Sequence, residues 1–150
     1  SIGARLRIAR VYNVAGRHIT TPELYALGDL VGSALRGEPL RIKASGDVVR
    51  SYVGADDLIA VVLAELLAPG RPQQLTFDTA GETVEISELA EAVCSALGRE
   101  DLPIERNRDA EAPPSVYVGD GNSMAELFEL HGITPTPLAE QIRQTAESIQ

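Results

Sequence analysis

Several features that would assign a chain to a particular class of protein are scarce or missing here. Cys94 is the single cysteine among the 150 residues, so no intramolecular disulfide can form and we expect a reducing, cytoplasmic setting. No apolar run approaches the roughly 20 residues of a transmembrane helix. The first five residues, SIGAR, lack the apolar region of a signal peptide. We therefore expect a cytoplasmic protein that does not enter a membrane.

Positive charge is also scarce. The chain has 13 lysine and arginine residues against 22 aspartate and glutamate residues, which gives a net charge of -9. Nucleic acids and acidic membrane surfaces attract positively charged proteins. We therefore expect neither nucleic acid nor a membrane surface as a partner. One arginine in a pocket could still bind a phosphate group, because the local field of a pocket can oppose the net charge.

What the chain does contain is enough apolar sequence for one domain with a core. Hydrophobic residues make up 44% of the chain, as in soluble globular proteins. Residue alternation and β-rich composition predict strands over residues 5–14, 40–42, 48–53 and 75–79, and shorter strands over 102–105 and 116–118. Helical spacing and end signals predict helices over residues 22–36, 57–67, 86–97 and 123–130, and from residue 136 onward.

Two helix predictions include expectations about particular residues. Thr21 is expected to cap the first helix, with Pro22 at its first position. Asp56 or Asp57 is expected to cap the second helix. Because that helix is apolar most of the way round, we expect it to be buried between layers. Cys94 falls on the apolar face of the helix over 86–97 and is expected in the core.

Arg50 lies in a short β-rich strand that is followed by two acidic residues and an apolar helix. Arginine presents a rigid, planar set of donors that suits a diphosphate. Most arginines are nonetheless solvated or ion-paired, and an asparagine that follows a strand, such as Asn13, is most often a turn residue. Residue type alone therefore does not decide whether Arg50 and Asn13 bind a ligand or have only a structural role.

The order of several segments resembles the extended short-chain dehydrogenase/reductase family, which includes the NAD-dependent nucleotide-sugar epimerases and dehydratases. The similar segments are RVYNVAG at residues 10–16, VRSY at 49–52, FDTAGETV at 77–84 and VYVGD at 116–120. The similarity runs from about Arg7 to Gln144 and concerns only the C-terminal part of the family's sequence.

The resemblance implies an α/β fold in which residues 1–150 form a single unit. That unit would comprise the substrate-binding domain and the last strands of a parallel Rossmann-type sheet, at about residues 5–14 and 75–79, without the N-terminal NAD-binding part. Self-association through the strand at 5–14 is then a further expectation, because its neighbouring strands would be missing.

The resemblance also implies roles for individual residues. Arg50 would bind the diphosphate of a nucleotide sugar, Asn13 would contact its phosphate or sugar, and Tyr25 would make a further substrate contact. The backbone near Val11 would lie beside the nicotinamide. The segment Leu40–Ala44 would lie near the nucleobase.

Two motifs of the family are missing from this sequence. There is no glycine-rich dinucleotide loop, and no tyrosine is followed by a lysine at the spacing Tyr-x-x-x-Lys, since Lys43 is the only lysine. Ser51 and Gly54 differ from the residues common at their positions, and residues 106–111 offer no clean match to the family's ribose contacts. We expect the parent enzyme to use NAD or NADP, and this chain alone to bind neither and to be inactive.

Three interpretations of function follow. The first is the nucleotide-sugar-binding portion of an epimerase or dehydratase. The second is a free-standing, non-catalytic module that binds a sugar nucleotide or a protein partner. The third is an α/β protein without a ligand. A metal site is not expected, because His18 and His131 lack partners at ligand spacing.

Overall fold

The computed structural model describes residues 4–19 and 21–149, which form a mixed α/β fold. The predicted fold class is confirmed. The strands are β1 (Leu6–Arg10), β2 (Asn13–Ala15), β3 (Leu40–Ile42), β4 (Val48–Gly54), β5 (Gln74–Asp78), β6 (Glu82–Glu85), β7 (Ile104–Arg106) and β8 (Ser115–Tyr117). The helices are α1 (Ala26–Arg36), α2 (Ala55–Leu67), α3 (Ile86–Leu97), α4 (Gly121–His131) and α5 (Leu138–Ile149).

The strands pair in three small sheets. β1 pairs with β5 and β3 pairs with β7, both in parallel. In the third sheet β4 is central, because it pairs antiparallel with β6 and parallel with both β2 and β8. β6 occupies one edge of β4, so β2 and β8 share the opposite edge, with β8 beside residues 48–50 and β2 beside residues 52–54.

The predicted single strand over residues 5–14 is wrong, because the chain changes sheets in its middle. β1 ends at Arg10 and β2 begins at Asn13. Thr79 stabilises the crossing from both sides: its N–H donates to the Arg10 carbonyl at 2.9 Å, and its Oγ1 accepts from the Tyr12 N–H at 3.0 Å. Residue alternation shows which residues are extended, but it does not show which strand they pair with.

The predicted helix over 22–36 is also divided. Pro22–Leu24 form a single 3₁₀ turn, Tyr25 is extended, and α1 begins at Ala26. The Thr21 side chain makes no capping hydrogen bond, contrary to the prediction. Gly28 packs directly against the 3₁₀ turn, since a Cβ at that position would lie 2.1 Å from the Pro22 carbonyl oxygen.

The expectations for α2 require two corrections. Gly54 is its N-cap residue and no side chain caps it. Asp57 instead accepts hydrogen bonds from the Thr136 N–H at 2.7 Å and hydroxyl at 2.9 Å, because it already lies inside the first turn. The helix is also not buried all round: Ile59, Leu63 and Leu67 are 56%, 51% and 80% exposed.

The inner face of α2 carries a buried carboxylate, Glu65. Its oxygens lie 3.2 Å from Arg7 Nε, 2.8 Å from Arg71 Nη2 and 2.7 Å from His131 Nε2. Burial by itself would raise the pKa of Glu65, but the hydrogen bonds from His131 and Arg71 outweigh it and lower that pKa. A buried charge is tolerated when it is paired in this way.

Two apolar clusters form the core. The larger packs α1, α3 and α5 around β3 and β4, and it includes Cys94 on α3 as predicted. The smaller packs α2 and α4 onto β5.

Two elements differ in how well the sequence predicted them. β6 was not predicted, whereas α3 and its end at Gly98, which has φ of 63°, match the sequence pattern. Among residues 4–19 and 21–149 no helix combines the length and hydropathy needed to cross a membrane.

Candidate functional site

A cavity of about 560 Å³ lies between the β1–β2 connection, β4 and the 3₁₀ turn before α1. Its lining includes Val11, Asn13, Tyr25 and Arg50, the four residues that the sequence analysis singled out. These residues come from three separate parts of the chain. The structure thus brings all four predicted positions together, and their roles remain predictions.

Arg50 lies on β4, and its guanidinium group is held from one side. Nη1 donates to the carbonyl oxygens of Val49 and Ser115, each at 2.8 Å, and Nη2 donates to the Ser115 hydroxyl at 2.9 Å. Among the described residues, Arg50 makes these three hydrogen bonds through Nη1 and Nη2, and none of them uses its Nε–H. Because β8 pairs with β4 beside Arg50, the group is held in one orientation and keeps donors for a ligand.

Tyr52 follows Arg50 by two residues, so both side chains project to the same face of β4. It is buried and lines the cavity. Burial raises the pKa of Tyr52 to about 12, and the phenol therefore stays protonated at neutral pH. The period-two spacing from Arg50 was a signal in the sequence that could have identified this residue.

Asn13 opens β2 and pairs with Tyr52 in register. Its Nδ2 donates to the Ser51 carbonyl oxygen at 3.1 Å. An asparagine side chain has two N–H donors and one oxygen acceptor. The hydrogen bond to Ser51 uses one donor, so Asn13 can offer the cavity both an acceptor and a donor.

A second cavity of about 290 Å³ adjoins the first, and Tyr25 and Arg50 line both. Its lining also includes Lys43 and Asp29, whose Nζ and Oδ2 atoms lie 2.8 Å apart. We call the two cavities together the groove. Arg50 therefore lies where the two cavities adjoin, and part of the segment Leu40–Ala44 lines the smaller one.

Tyr12 lines the larger cavity of the groove and is held by Asp78 at the end of β5. The Tyr12 hydroxyl donates to Asp78 Oδ2 at 3.1 Å, and the Tyr12 and Tyr117 ring centroids are 4.6 Å apart. The hydrogen bond to Asp78 raises the pKa of Tyr12. Sequence reasoning missed Tyr12, Asp78 and Ser115, because their contacts join residues far apart in the chain and leave no periodic signal.

Arg106, considered for a ribose contact, is committed elsewhere. Its Nη1 lies 2.8 Å from Glu85 Oε1, its Nε donates to the Ala44 carbonyl at 3.1 Å, and Nη2 donates to the Gly46 carbonyl. The side chain is buried, so it fixes the loop before β4. No group of three or more histidine, cysteine, aspartate or glutamate side chains among the described residues could hold a metal ion.

Comparisons with known proteins gave structural matches only. No family model and no curated protein matches the chain. The solved structures it resembles include the RMD protein from Pseudomonas aeruginosa complexed with NADPH, at 20% identity and a TM-score of 0.69, covering 97% of this chain and 48% of that one.

Two further matches also contain a dinucleotide. UDP-glucuronic acid 4-epimerase from Bacillus cereus, in complex with UDP-glucuronic acid and NAD, is 20% identical with a TM-score of 0.68, and the match covers 95% of this chain and 44% of that one. dTDP-glucose 4,6-dehydratase from Bacillus anthracis str. Ames, in complex with NAD, is 20% identical with a TM-score of 0.69. The match covers 95% of this chain and 43% of that one.

The chain spans slightly less than half the length of these structures, and nearly all of its own length is matched. At this identity the similarity concerns the fold. The predicted resemblance to the extended short-chain dehydrogenase/reductase family is confirmed at the level of the fold, over about half of the length of these structures.

Proposed function

We propose that this chain is the nucleotide-sugar-binding, C-terminal portion of an NAD- or NADP-dependent epimerase or dehydratase. The observation that carries the proposal is the groove, in which Arg50 lies between two adjoining cavities. A nucleotide sugar has the same order of parts, with a diphosphate between a nucleoside and a sugar. The groove therefore suits this class of ligand.

Each part of the ligand has a counterpart in the groove. The Arg50 guanidinium binds the diphosphate, because arginine donors match phosphate oxygens in geometry and charge. The nucleoside occupies the smaller cavity beside Lys43, and the sugar occupies the larger cavity, where Asn13 offers a donor and an acceptor. Tyr25, which is exposed and lines both cavities, contacts the ligand where they meet.

The chain by itself does not fit a dinucleotide cofactor. Val11 lines the groove beside the end of β1, but the sequence contains no glycine-rich loop to cradle the cofactor's diphosphate. The proton-transferring Tyr-x-x-x-Lys pair is absent as well. We therefore propose that NAD or NADP is bound, and the reaction catalysed, only together with a second half of the protein, and that this chain alone is inactive.

Uncovered apolar surface supports the proposal of a second half. Leu6 and Ile8 on β1 are exposed, as are Ile59, Leu63 and Leu67 on α2. Within the described residues β1 pairs only with β5, so its other edge is unpaired. A nucleotide-binding α/β layer that adds strands beside β1 and a helix against α2 would cover these surfaces.

The test is calorimetric binding of UDP and dTDP to the 150-residue chain. Arg50→Ala should weaken binding about ten-fold or more, since a hydrogen bond to a charged group contributes roughly 1.5–3 kcal/mol. Arg143→Ala, which removes an exposed arginine from α5, is the control and should leave the affinity unchanged. Equal affinities of the Arg50→Ala and wild-type chains would refute the site.

A further inference from the structure

Tyr12 lies in the connection between β1 and β2 and lines the larger cavity of the groove. The fold holds this residue at three points. Its backbone N–H donates to Thr79 Oγ1 at 3.0 Å, and its hydroxyl donates to Asp78 Oδ2 at 3.1 Å. Its ring packs against the ring of Tyr117, with an angle of 42° between the two planes. These contacts fix the orientation of the Tyr12 side chain at the cavity wall.

Asp78 supplies the acceptor that fixes the Tyr12 hydroxyl. Its Oδ2 also accepts from the Asp120 N–H at 3.2 Å, and its Oδ1 forms an ion pair with Arg10. Burial by itself would raise the pKa of Asp78, but the hydrogen bonds from Asp120, Tyr12 and Arg10 outweigh it and lower that pKa. The carboxylate is therefore ionised at neutral pH, and the proton of the Tyr12 hydroxyl points toward it.

Toward the cavity, the Tyr12 hydroxyl can act only as an acceptor. A phenol has one O–H donor and an oxygen that also accepts, and the donor is already used by Asp78. Because that hydrogen bond is only partly buried and Tyr12 lines the cavity, a ligand can reach the oxygen. No aspartate or glutamate among the described residues lines this cavity, so acceptors for the hydroxyl groups of a sugar are scarce there.

We propose that Tyr12 is a specificity-determining residue of the groove and accepts a hydrogen bond from a hydroxyl or amide N–H group of the sugar. Asp78 is its positioning residue, because it takes the phenol proton and leaves only the oxygen lone pairs for the ligand. This inference rests on the proposed nucleotide-sugar function and narrows the substrate to sugars with a hydrogen-bond donor opposite Tyr12. The diphosphate, bound at Arg50, does not depend on this contact.

The test compares UDP with UDP-glucose, because the two differ in the sugar that would meet Tyr12. Binding to the full chain is followed by calorimetry and by the ¹³C resonances of the tyrosine rings, of which the chain has four. The Tyr12 resonances are assigned by their loss in Tyr12→Phe. UDP-glucose should bind more tightly than UDP and should shift the Tyr12 resonances saturably, whereas UDP should leave them in place.

Removing the Tyr12 hydroxyl tests the contact itself. Tyr12→Phe should weaken UDP-glucose binding about three-fold or more and leave the affinity for UDP unchanged. Tyr117→Phe is the matched control, since it removes a hydroxyl from the neighbouring ring, keeps the ring packing and does not line the larger cavity. This control should bind both ligands like wild type.

Replacing Asp78 tests the positioning role. Asp78 raises the pKa of Tyr12 through its hydrogen bond and its charge. Asp78→Asn should therefore lower the pH at which the Tyr12 ring carbons titrate, and it should weaken the binding of UDP-glucose without weakening that of UDP. Asp101→Asn removes an exposed carboxylate that pairs with Arg99, so it is the control and should change neither the titration nor the affinities.

The outcomes separate this inference from the proposed function. Binding of UDP with no gain from the glucose group would overturn the role of Tyr12 and leave the diphosphate site standing. Wild-type affinity of Tyr12→Phe for UDP-glucose, or an equal loss for UDP and UDP-glucose, would overturn it as well. An unchanged Tyr12 titration in Asp78→Asn would overturn the positioning role of Asp78. If neither ligand binds to the wild-type chain, the proposed function fails and this inference fails with it.

Discussion

Glu85 joins three parts of the fold through one carboxylate. Its Oε2 accepts from the Ser87 N–H at 2.7 Å and so caps α3, and its Oε1 accepts from the Val48 N–H at 3.3 Å and from Arg106 at 2.8 Å. Burial alone would raise the pKa of Glu85. The hydrogen bonds from Ser87, Arg106 and Val48 outweigh it and lower that pKa to about 2.

This pKa predicts how stability depends on pH. Because the pKa of Glu85 is depressed in the folded chain, its contribution is fully present above the ordinary value of 4.5 and is lost as the pH falls toward about 2. Glu85→Gln should lower the free energy of unfolding by roughly 1.5–3 kcal/mol at neutral pH and flatten its acid dependence. Urea titrations at a series of pH values measure both effects.

Glu140→Gln is the control for this prediction, because Glu140 forms an exposed pair with Arg143 on α5. Exposed pairs contribute about 0–1 kcal/mol, so this variant should follow the wild-type pH profile closely. A Glu85→Gln profile parallel to that of wild type below pH 4.5 would contradict the assignment to Glu85.

At the scale of elements, the junction between the 3₁₀ turn and α1 shapes the groove. Gly28 on α1 lets the carbonyl of Pro22 approach the helix, and Pro22, Tyr25 and Gly28 all line the larger cavity. Helix propensity alone favours alanine over glycine by about 1 kcal/mol. Steric overlap with a backbone atom 2.1 Å from the new Cβ outweighs that gain.

Gly28→Ala should therefore destabilise the chain by about 1–3 kcal/mol and weaken UDP binding by displacing the turn that carries Tyr25. Gly32→Ala on the same helix is the matched control. Its Cβ would meet only the Arg36 guanidinium, at 3.1 Å, and that flexible side chain can move away. Thermal unfolding and calorimetry compare the two variants, and equal effects would show that contact with the turn is not the cause.

At the scale of the whole molecule, β1 and α2 each leave several large apolar side chains uncovered. Leu6 and Ile8 on β1, and Ile59, Leu63 and Leu67 on α2, are exposed. Contiguous apolar surface and an unpaired strand edge are the usual sites of association. We therefore predict that the 150-residue chain self-associates in solution through β1 and α2, in the absence of a second half that covers them.

Replacing Leu63 and Leu67 together by glutamate should shift the chain toward monomer in light scattering. A matched control places two glutamates at Ser95 and Ala139, which are exposed on other helices, so net charge changes equally in both variants. A strictly monomeric wild type with slow amide exchange over residues 6–11 would refute the prediction. It would favour the free-standing module, because β1 would then be satisfied within its own chain.

Sequence patterns located most of the elements, because local preferences decide them. The apolar spacing of α3 and the glycines at its end and at the end of α1, Gly98 and Gly37, act within one or two turns of helix. The four candidate site residues were also identified from the sequence, through short motifs in a particular order. They line one groove in the folded chain, but what binds there remains a prediction.

Tertiary structure decided what depends on partners distant in the chain. It ended β1 at Arg10, because residues 6–10 pair with β5 and residues 13–15 pair with β4. It turned the carboxylates of Asp57 and Glu65 inward, because Thr136, Arg7, Arg71 and His131 offer those carboxylates hydrogen bonds or opposite charge. It left Leu63, Leu66 and Leu67 of α2 outside. The amino-acid sequence by itself determined where most of the chain is helical or extended, since that depends largely on neighbouring residues. Which side chains are buried, and which groups hold Arg50 in place, follows only from contacts between segments up to 130 residues apart, such as His18 and Ser148.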